Sequence, residues 1–540
     1  MSETDERPSS GGVPSGVPSG APGSAPGGAR SGDQGAAPLV QALMEYVAQN
    51  PYRFHMPGHK GKGSATLFFG SDGTLAADAT EVDGLDDLHA PEGAIREAES
   101  LAAQAYGADE TFFLVNGSTC GLHAAIMATC GPDDEVIVSR DTHVAVAGGL
   151  VLSGARPVYV APEVDELYAI PLGPTPEAVM AEMRRHPRAR AVILTSPNYY
   201  GVSPDIKTLV AMAHDYGKIA VVDEAHGAHL PFHEALPPSA LEAGADAVVS
   251  GAHKTLPAMT QASYLHLKGG AVDPETVRRM LRLVETTSPS YVLMASLDAA
   301  RRVAATRGHE LLSGVLRSAA AARERLSRLP GVACLDRGRL ATRGFAHDPT
   351  KLVISFAGLL RYGVTGVRVA RLLREVHGIW VELADTRNVL AILTMADSRD
   401  DVEKLVSAIE SEVGRLAARP GAASYGAARH GTAGLPGLPG DGAGQLEAGV
   451  CDILRHIPPL RMTPREAALS RTEWVPIRAA CGRIAADAVV PYPPGLPVLC
   501  PGEEITGRSV EFVCDALSPG LGLRLRGVRN DGSVLVVAGR

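Results

Sequence analysis

Short apolar segments alternate with helical stretches between residues 111 and 250, and this alternation constrains the fold more than any other feature. The apolar segments are rich in valine and isoleucine and end at turn residues, as β-strands do. Such strands, separated by helices, predict an α/β fold with a mostly parallel sheet covered on both faces. The predicted strands are Thr111–Val115, Glu135–Ser139, Arg156–Val160, Ala191–Thr195, Ile219–Asp223 and Ala247–Ser250, and the predicted helices include Thr175–Arg185 and Ile206–Tyr216. Ligands bind such sheets beyond the carboxyl ends of the strands, so we expect the site there.

Composition divides the rest of the chain. Two stretches rich in Gly, Pro, Ser and Ala predict a disordered tail and a flexible linker. After residue 351, the strand-like segments Leu352–Phe356, Trp380–Glu382 and Val389–Thr394 predict a smaller α+β subdomain. The expected regions are the tail 1–37, a large domain 38–310, the subdomain 311–415, the linker 416–445 and a separate C-terminal domain 446–540.

The charge of the chain argues against two classes of partner. Its 540 residues carry a net charge of -9, whereas a general nucleic-acid or membrane-surface binder shows a basic patch. The N-terminus lacks the basic and apolar regions of a signal peptide, and no apolar run is long enough to cross a bilayer. The seven cysteines are scattered and never spaced C-x-x-C, as expected of free thiols. We therefore expect a cytoplasmic enzyme with a small-molecule substrate.

The first candidate for chemistry is the turn Asn116-Gly117-Ser118-Thr119, between a predicted strand and a predicted helix. Backbone N–H groups and two hydroxyls at a helix N-terminus form a ready site for phosphate. An ordinary strand-to-helix turn with a Ser/Thr cap has the same appearance. Both interpretations stand at this point.

The second candidate is Asp223, at the end of a predicted strand. An aspartate there can pair with the pyridinium nitrogen of pyridoxal 5'-phosphate (PLP) and keep the ring an electron sink. Alternatively, Asp223 caps the following segment, or it binds a metal with His226 and His229, as in a metallohydrolase.

Lys254 favours PLP over a metal. It follows the next predicted strand in Ser250-Gly251-Ala252-His253-Lys254, where a lysine beside a histidine and small residues suits Schiff-base chemistry. A solvated surface lysine is the commoner fate, but it explains neither the flanking residues nor the matching position of Asp223. His143 also follows a strand, and it either stacks on the cofactor ring or is structural.

With these residues assembled, the chain resembles the Orn/Lys/Arg decarboxylase family of fold-type I, aspartate aminotransferase-like PLP enzymes, over about residues 38–415 and 446–540. The segments that carry the resemblance are Phe54–Gly61, Gly84–His89, Leu114–Thr119, Thr195–Gly201, Asp223–Gly227, Ser250–Lys254, Thr286–Tyr291, Pro493–Pro497 and Pro501–Glu503. The family has Lys-Ser after its ring-stacking histidine, whereas Val144-Ala145 stands here. The resemblance does not extend to the N-terminal wing domain of the acid-stress members, so we expect the short biosynthetic form.

The resemblance implies a role for each site residue. The phosphate contacts would be Gly117, Ser118, Thr119, Ser250 and His253. His143 would stack on the ring, Asp223 would pair with its nitrogen, and His226 would lie near its phenolic oxygen. Thr286, Thr287 and Ser288 would reach the cofactor of a neighbouring subunit, so the family implies a homodimer or higher oligomer with shared active sites.

The expected reaction is decarboxylation of arginine, lysine or ornithine through a Lys254 Schiff base, which yields agmatine, cadaverine or putrescine for polyamine biosynthesis. Lys254, His253 and Asp223 would be the catalytic residues. The candidates for an acid that binds the distal cation of the substrate are Asp87, Glu503 and Glu504, with Asp86 and Glu382 also considered. A fold-type I aminotransferase or lyase is the nearest rival, with Arg387 as a possible carboxylate ligand. A non-catalytic paralogue is a further alternative.

Overall fold

The computed structural model of the protein describes residues 32–61, 72–417, 450–492, 495–517 and 524–539. The predicted tail up to residue 31 and the predicted linker from residue 418 lie outside the described residues, as do Pro493 and Pro494. The described residues begin at residue 32, before the predicted boundary at residue 38. The backbone carbonyl oxygens of Gln34 and Ala36 accept hydrogen bonds of 2.8 and 2.6 Å from the buried guanidinium of Arg301.

Nineteen strands are present in the described residues, seven of them in one central sheet. They are β1 (Glu110–Leu114), β2 (Glu135–Ser139), β3 (Arg156–Val160), β4 (Glu163–Asp165), β5 (Ile170–Gly173), β6 (Ala191–Thr195), β7 (Val202–Ser203), β8 (Ile219–Glu224), β9 (Ala247–Ser250), β10 (Ser263–Leu267), β11 (Ala333–Cys334), β12 (Ala346–His347), β13 (Lys351–Ser355), β14 (Leu383–Ala384), β15 (Asn388–Ile392), β16 (Thr472–Pro476), β17 (Val490–Tyr492), β18 (Arg524–Arg526) and β19 (Ser533–Val537).

The central sheet has the order β1-β10-β9-β8-β6-β2-β3. All of its neighbours pair in parallel except at β10, which is antiparallel to both β1 and β9. The α/β fold with a mostly parallel sheet is therefore confirmed. Strand β10 was missed because its Ser and His interrupt the apolar run that reveals the other strands. Since the other six strands run in one direction, their carboxyl ends share one edge of the sheet.

Helices cover both faces of this sheet, and each face has its own apolar core. The large domain and the subdomain contain α1 (Pro38–Ala48), α2 (Asp72–Ala77), α3 (Ala94–Tyr106), α4 (Gly117–Thr129), α5 (Val144–Ser153), α6 (Pro176–Arg185), α7 (Ile206–Asp215), α8 (Ala252–Thr255), α9 (Pro274–Val284), α10 (Tyr291–Ser327), α11 (Arg337–Ala341), α12 (Gly366–His377) and α13 (Arg399–Ala417). Thr175 and Asp205 cap α6 and α7 through their side-chain oxygens, which fixes where these helices begin.

The smaller subdomain contains an antiparallel sheet in the order β11-β13-β15-β14. The predicted strand at Trp380–Glu382 is wrong, because pairing with β15 begins only at Leu383. The described residues between 450 and 539 form what we call the C-terminal domain. It pairs β16 with β19 and β17 with β18, and it contains the helices Pro464–Leu469 and Gly507–Ala516. Within the described ranges, the helices are all too short or too polar to span a membrane.

Candidate active site

Three strand ends meet where Gly251 follows β9. A Cβ at Gly251 would lie 2.5 Å from the carbonyl oxygen of Ala225, which follows β8, and 3.2 Å from Oγ of Ser118, which follows β1. A side chain cannot fit at 2.5 Å from a backbone oxygen, so the glycine is needed for this approach. The structure therefore brings together the three segments from which the sequence predicts the phosphate turn, the ring-nitrogen partner and the lysine.

Lys254 lies on the short helix α8, and its Nζ is 3.2 Å from Nε2 of His226. Burial lowers the pKa of the Lys254 ammonium below its usual value, the negative charges of Asp223 and Glu382 oppose this shift, and the positive charge of Lys351 adds to it. A lowered pKa increases the fraction of neutral amine, which is the nucleophilic form of lysine.

His226 is a buried neutral imidazole. Burial lowers its pKa well below the usual range, and the positive charge of Lys254 lowers it further. Its ring also contacts that of Tyr199 edge to face, with centroids 4.8 Å apart. Nδ1 of His226 has no hydrogen-bond partner among the described residues. A buried polar nitrogen without a partner is uncommon in proteins, and it fits a site that a ligand completes.

Asp223 and His143 lie at the carboxyl ends of β8 and β2, which β6 separates in the sheet. Asp223 is buried at the end of β8, where Oδ1 accepts a 3.1 Å hydrogen bond from the backbone N–H of Ala225. His143 caps α5, because its Nδ1 accepts from the backbone N–H of Ala145 at 3.2 Å. Burial lowers the pKa of His143, and the negative charge of Asp223 opposes the shift, so the two side chains interact. Both stand at the edge of the sheet that holds Lys254.

The turn at Gly117 has the backbone of an anion-binding turn. Gly117 has a φ of +78°, and it begins α4, so the first N–H groups of that helix point out of its N-terminus. Oγ of Ser118 lies 3.1 Å from Oγ of Ser263, and Thr119 is exposed. The buried carboxylate of Glu285 accepts hydrogen bonds from two backbone N–H groups just before the turn and fixes its position.

Two predicted phosphate ligands next to Lys254 differ in their surroundings. The hydroxyl of Ser250 is buried and donates to Oε1 of Glu224 at 3.4 Å, so a phosphate contact would compete with that bond. Nδ1 of His253 lies 3.0 Å from the carbonyl oxygen of Ala262 and must carry the proton that it donates. Burial lowers the pKa of His253, so its Nε2 has a free lone pair at neutral pH. Both phosphate contacts stay predictions.

The segment Thr286–Ser288 lies beside the turn at Gly117, since it follows Glu285 directly. The carbonyl oxygen of Thr286 accepts a 2.8 Å hydrogen bond from Nε2 of His89. Thr287 and Ser288 are exposed in the single chain. Their predicted contact with a neighbouring subunit stays a prediction.

Asp223, His226 and His229 do not converge on a common point as metal ligands would. Nε2 of His229 instead lies 3.1 Å from Oδ2 of Asp348, in the smaller subdomain. Within the described part of the chain, the side chains with the spacing of a metal site are His233, Glu234 and His309. The metallohydrolase alternative is therefore contradicted by the positions of its proposed ligands.

Comparison with known proteins decides the family. The Orn/Lys/Arg decarboxylase major-domain model matches residues 37–401, and the model of the family's C-terminal domain matches residues 450–535. This chain belongs to the Orn/Lys/Arg decarboxylase family. It is 38% identical to an arginine decarboxylase of Bacillus subtilis (strain 168), over 90% of this chain and 95% of that protein. It is 27% identical to lysine decarboxylase LdcA of Pseudomonas aeruginosa, over 87% of this chain and 74% of that protein.

A solved family structure shares the fold. Lysine decarboxylase A from Pseudomonas aeruginosa superposes with a TM-score of 0.78 at 25% identity, covering 93% of this chain and 80% of that one. The predicted family and the predicted enzyme class, a carboxy-lyase, are both confirmed. As an Orn/Lys/Arg decarboxylase, the chain needs a site for PLP. The glycine-lined approach at Gly251 and the unpartnered nitrogen of His226 fit one.

The three acids predicted to bind the distal cation are engaged elsewhere. Glu503 is fully buried and pairs with Arg140 at 3.0 Å. Glu504 pairs with Arg461 at 2.8 Å. The exposed Asp87 accepts a 2.9 Å hydrogen bond from the backbone N–H of His89 through Oδ1. Of the two other candidates, Asp86 holds the N-terminus of α3 by accepting from backbone N–H groups.

Glu382 is the acid that the structure brings toward Lys254. Its charge acts on the Lys254 ammonium, and its Oε1 accepts a hydrogen bond from the hydroxyl of Tyr199, whose ring contacts His226. Arg387, the candidate of the aminotransferase alternative, donates from Nη1 to the backbone carbonyl oxygen of Glu166 at 2.6 Å.

Residues of the β17–β18 pair in the C-terminal domain act on the site, and no sequence signal indicated this. The guanidinium of Arg526 lies 4.1 Å from the ring centroid of Tyr492, and its charge lowers the pKa of His143. Tyr492 in turn interacts with Tyr199. Lys351 was also missed, since lysine is rarely buried and a sequence offers no signal for one that is.

Proposed function

We propose that this chain decarboxylates a basic amino acid with PLP held covalently by Lys254. The observation that carries the proposal is the position of Lys254, partly buried and 3.2 Å from His226, at the sheet edge that also holds Asp223. When bound, PLP supplies an electron sink for the charge left on Cα as carbon dioxide departs.

The site residues would hold the cofactor from several sides. Ser118, Thr119 and the N–H groups of the first turn of α4 would bind the phosphate. Asp223 would pair with the ring nitrogen, and its burial keeps that pair away from water. His143 would stack on the ring, and Nδ1 of His226 would lie near the phenolic oxygen. These assignments combine the family resemblance with the convergence of the three strand ends.

Two bases are placed to move the proton that the reaction requires. Decarboxylation replaces a carboxylate on Cα with a hydrogen, so a proton must be delivered to that carbon. His253 presents Nε2, because Nδ1 is committed to the carbonyl oxygen of Ala262, and Nε2 would first take a proton from water and then pass it to Cα. Lys254 is the other candidate once the substrate amine has taken its place. A buried site would also favour loss of the charged carboxylate.

We propose arginine as the substrate and agmatine as the product. The support is the 36–38% identity to arginine decarboxylases over about nine-tenths of this chain, against 27% to a lysine decarboxylase. Glu382 would bind the distal guanidinium, since a carboxylate accepts two parallel N–H bonds from it. The Tyr199 hydroxyl holds this carboxylate in place.

The test is product analysis. The purified chain is incubated with PLP and separately with arginine, lysine and ornithine, and the amine and carbon dioxide are quantified. Agmatine and carbon dioxide from arginine, in equal amounts, are the expected products. A keto acid would instead identify an aminotransferase, and turnover of lysine or ornithine alone would move the proposal to another substrate of the family.

We also propose a homodimer with shared sites, in which Thr286–Ser288 of one subunit reaches the cofactor of the other. The exposure of Thr287 and Ser288 in the single chain supports this arrangement. Mixing subunits that carry Lys254→Ala with subunits that carry Thr287→Ala should restore part of the activity if sites are shared. Mixed dimers without any activity would contradict it.

A further inference from the structure

Helix α5, which His143 caps, is weak by sequence. Gly148 and Gly149 lie at its middle, and a glycine in a helix interior is less favourable than an alanine. A Cβ would lie 2.6 Å from the side chain of His123 at the first position and 2.6 Å from that of Ile126 at the second, so either substitution would make a side chain of α4 shift. The two glycines therefore lower the intrinsic stability of α5, which makes contacts at its two ends more important for its position.

The C-terminal domain contacts the last turn of α5. Nε of Arg465 donates to the carbonyl oxygen of Val151 at 2.8 Å, and its Nη2 donates to the carbonyl oxygen of Leu152. These carbonyls belong to the last turn, where a helix leaves its acceptors without partners. A cation at this end is also favourable to the helix dipole.

The same domain contacts the loop that precedes α5. Nη2 of Arg140, three residues before His143, donates to Oε2 of Glu503 at 3.0 Å, and Nη1 donates to the carbonyl oxygen of Pro497 at 2.7 Å. Both charged side chains are 3% exposed or less. Separating a buried pair leaves an uncompensated charge, so this contact strongly opposes movement of the loop.

We propose that the C-terminal domain positions His143 by holding α5 at both ends, through Arg465 at its last turn and through the Arg140–Glu503 pair before its first. The inference rests on the proposed function, because it takes His143 as the residue that stacks on the PLP ring. Arg465 and Glu503 are positioning residues in this account and touch no reacting atom. Glu503, predicted to bind substrate, acts instead through Arg140.

The experiment compares three variants of the full-length chain. Arg465→Ala removes a half-buried side chain at one end of α5, and Glu503→Gln removes the buried charge at the other. The control is Arg455→Met, which breaks an exposed ion pair of 3.1 Å between the C-terminal domain and Glu166 of the large domain. Hydrogen–deuterium exchange of the α5 amides is measured without PLP, and the PLP dissociation constant is measured by absorbance.

We expect α5 to exchange about tenfold faster in Arg465→Ala and in Glu503→Gln than in the unaltered chain, as for residues coupled by direct contact. The PLP dissociation constant should rise by about the same factor. Arg455→Met should change neither.

Unchanged exchange of α5 in Arg465→Ala would overturn the proposal, as would faster exchange with unchanged PLP affinity. If Glu503→Gln does not fold, Arg465→Ala tests the proposal by itself, since the Arg465 side chain is not part of the core. Failure of the unaltered chain to bind PLP would overturn the proposed function as well, whereas failure of the variants to loosen α5 overturns only this inference.

Discussion

Nζ of Lys254 lies 3.2 Å from Nε2 of His226, and both groups have pKa values below their usual range. For the histidine this means a neutral ring, which can accept a hydrogen bond from the lysine. For the lysine it means a larger share of neutral amine near neutral pH. Burial is the first cause in both cases, and the buried Lys351 contributes to both as a positive charge.

Replacing Lys351 with glutamine should raise the pKa of Lys254, because it removes a positive charge that disfavours the ammonium. Only the neutral amine attacks PLP, so attachment of PLP to the cofactor-free enzyme at pH 7 should slow by roughly threefold to tenfold. At pH 10 the two proteins should react at more similar rates. Stopped-flow absorbance measures the rates, and Lys207→Gln, which removes an exposed lysine, is the control. Equal rates for Lys351→Gln and the unaltered chain at pH 7 would contradict the account.

Gly251→Ala should disrupt the approach of the strand ends. The new Cβ would lie 2.5 Å from the carbonyl oxygen of Ala225, so backbone must move at a cost of about 1–3 kcal/mol. PLP affinity should also fall, because the backbone shift moves the strand ends that would bind PLP. Gly314→Ala is the matched control, because Gly314 lies in α10 with open space around it and should gain up to about 1 kcal/mol in stability. Urea unfolding midpoints and PLP titrations measure both effects, and a Gly251→Ala variant with normal PLP affinity would contradict the geometry.

The positions of the strand ends were predictable, because an apolar run that ends at a turn residue is a local signal. Of the six predicted strands, four have the observed bounds, Ile219–Asp223 is one residue too short, and Thr111–Val115 is shifted by one. The Arg140–Glu503 pair was not predictable, since 363 residues separate its members and each alone has the appearance of a surface charge. Glu503 was therefore expected at the substrate, although its carboxylate is buried against Arg140.

Glu99 should make stability depend on pH. Burial raises its pKa to about 8, so the folded chain holds a proton that the unfolded chain, with its ordinary pKa of 4.5, releases. The stabilising effect is complete below pH 4.5 and is lost as the pH rises through about 8. Glu99→Gln should therefore raise the free energy of unfolding, measured by urea titration, more at pH 8 than at pH 5. The difference should be on the order of 1 kcal/mol or more. Glu97→Gln, at an exposed position of the same helix, is the control. A Glu99→Gln effect that is equal at both pH values would show that Glu99 is charged in the folded chain.

Glu382→Gln should raise the KM for arginine by about tenfold or more, because the guanidinium loses a charge-assisted pair worth about 1.5–3 kcal/mol. Tyr199→Phe should have a smaller effect in the same direction, as it removes the bond that holds the carboxylate. Steady-state kinetics measure both, with Glu375→Gln, an exposed acid of the same subdomain, as the control. An unchanged KM in Glu382→Gln would show that Glu382 does not bind the guanidinium.

Covalent trapping tests the central claim most directly. The full-length chain is mixed with PLP, reduced with borohydride and digested, and the modified lysine is identified by mass spectrometry. Modification at Lys254, absent in Lys254→Ala together with all decarboxylation, is the predicted result. Stable modification at a different lysine, or full activity in Lys254→Ala, would contradict the account.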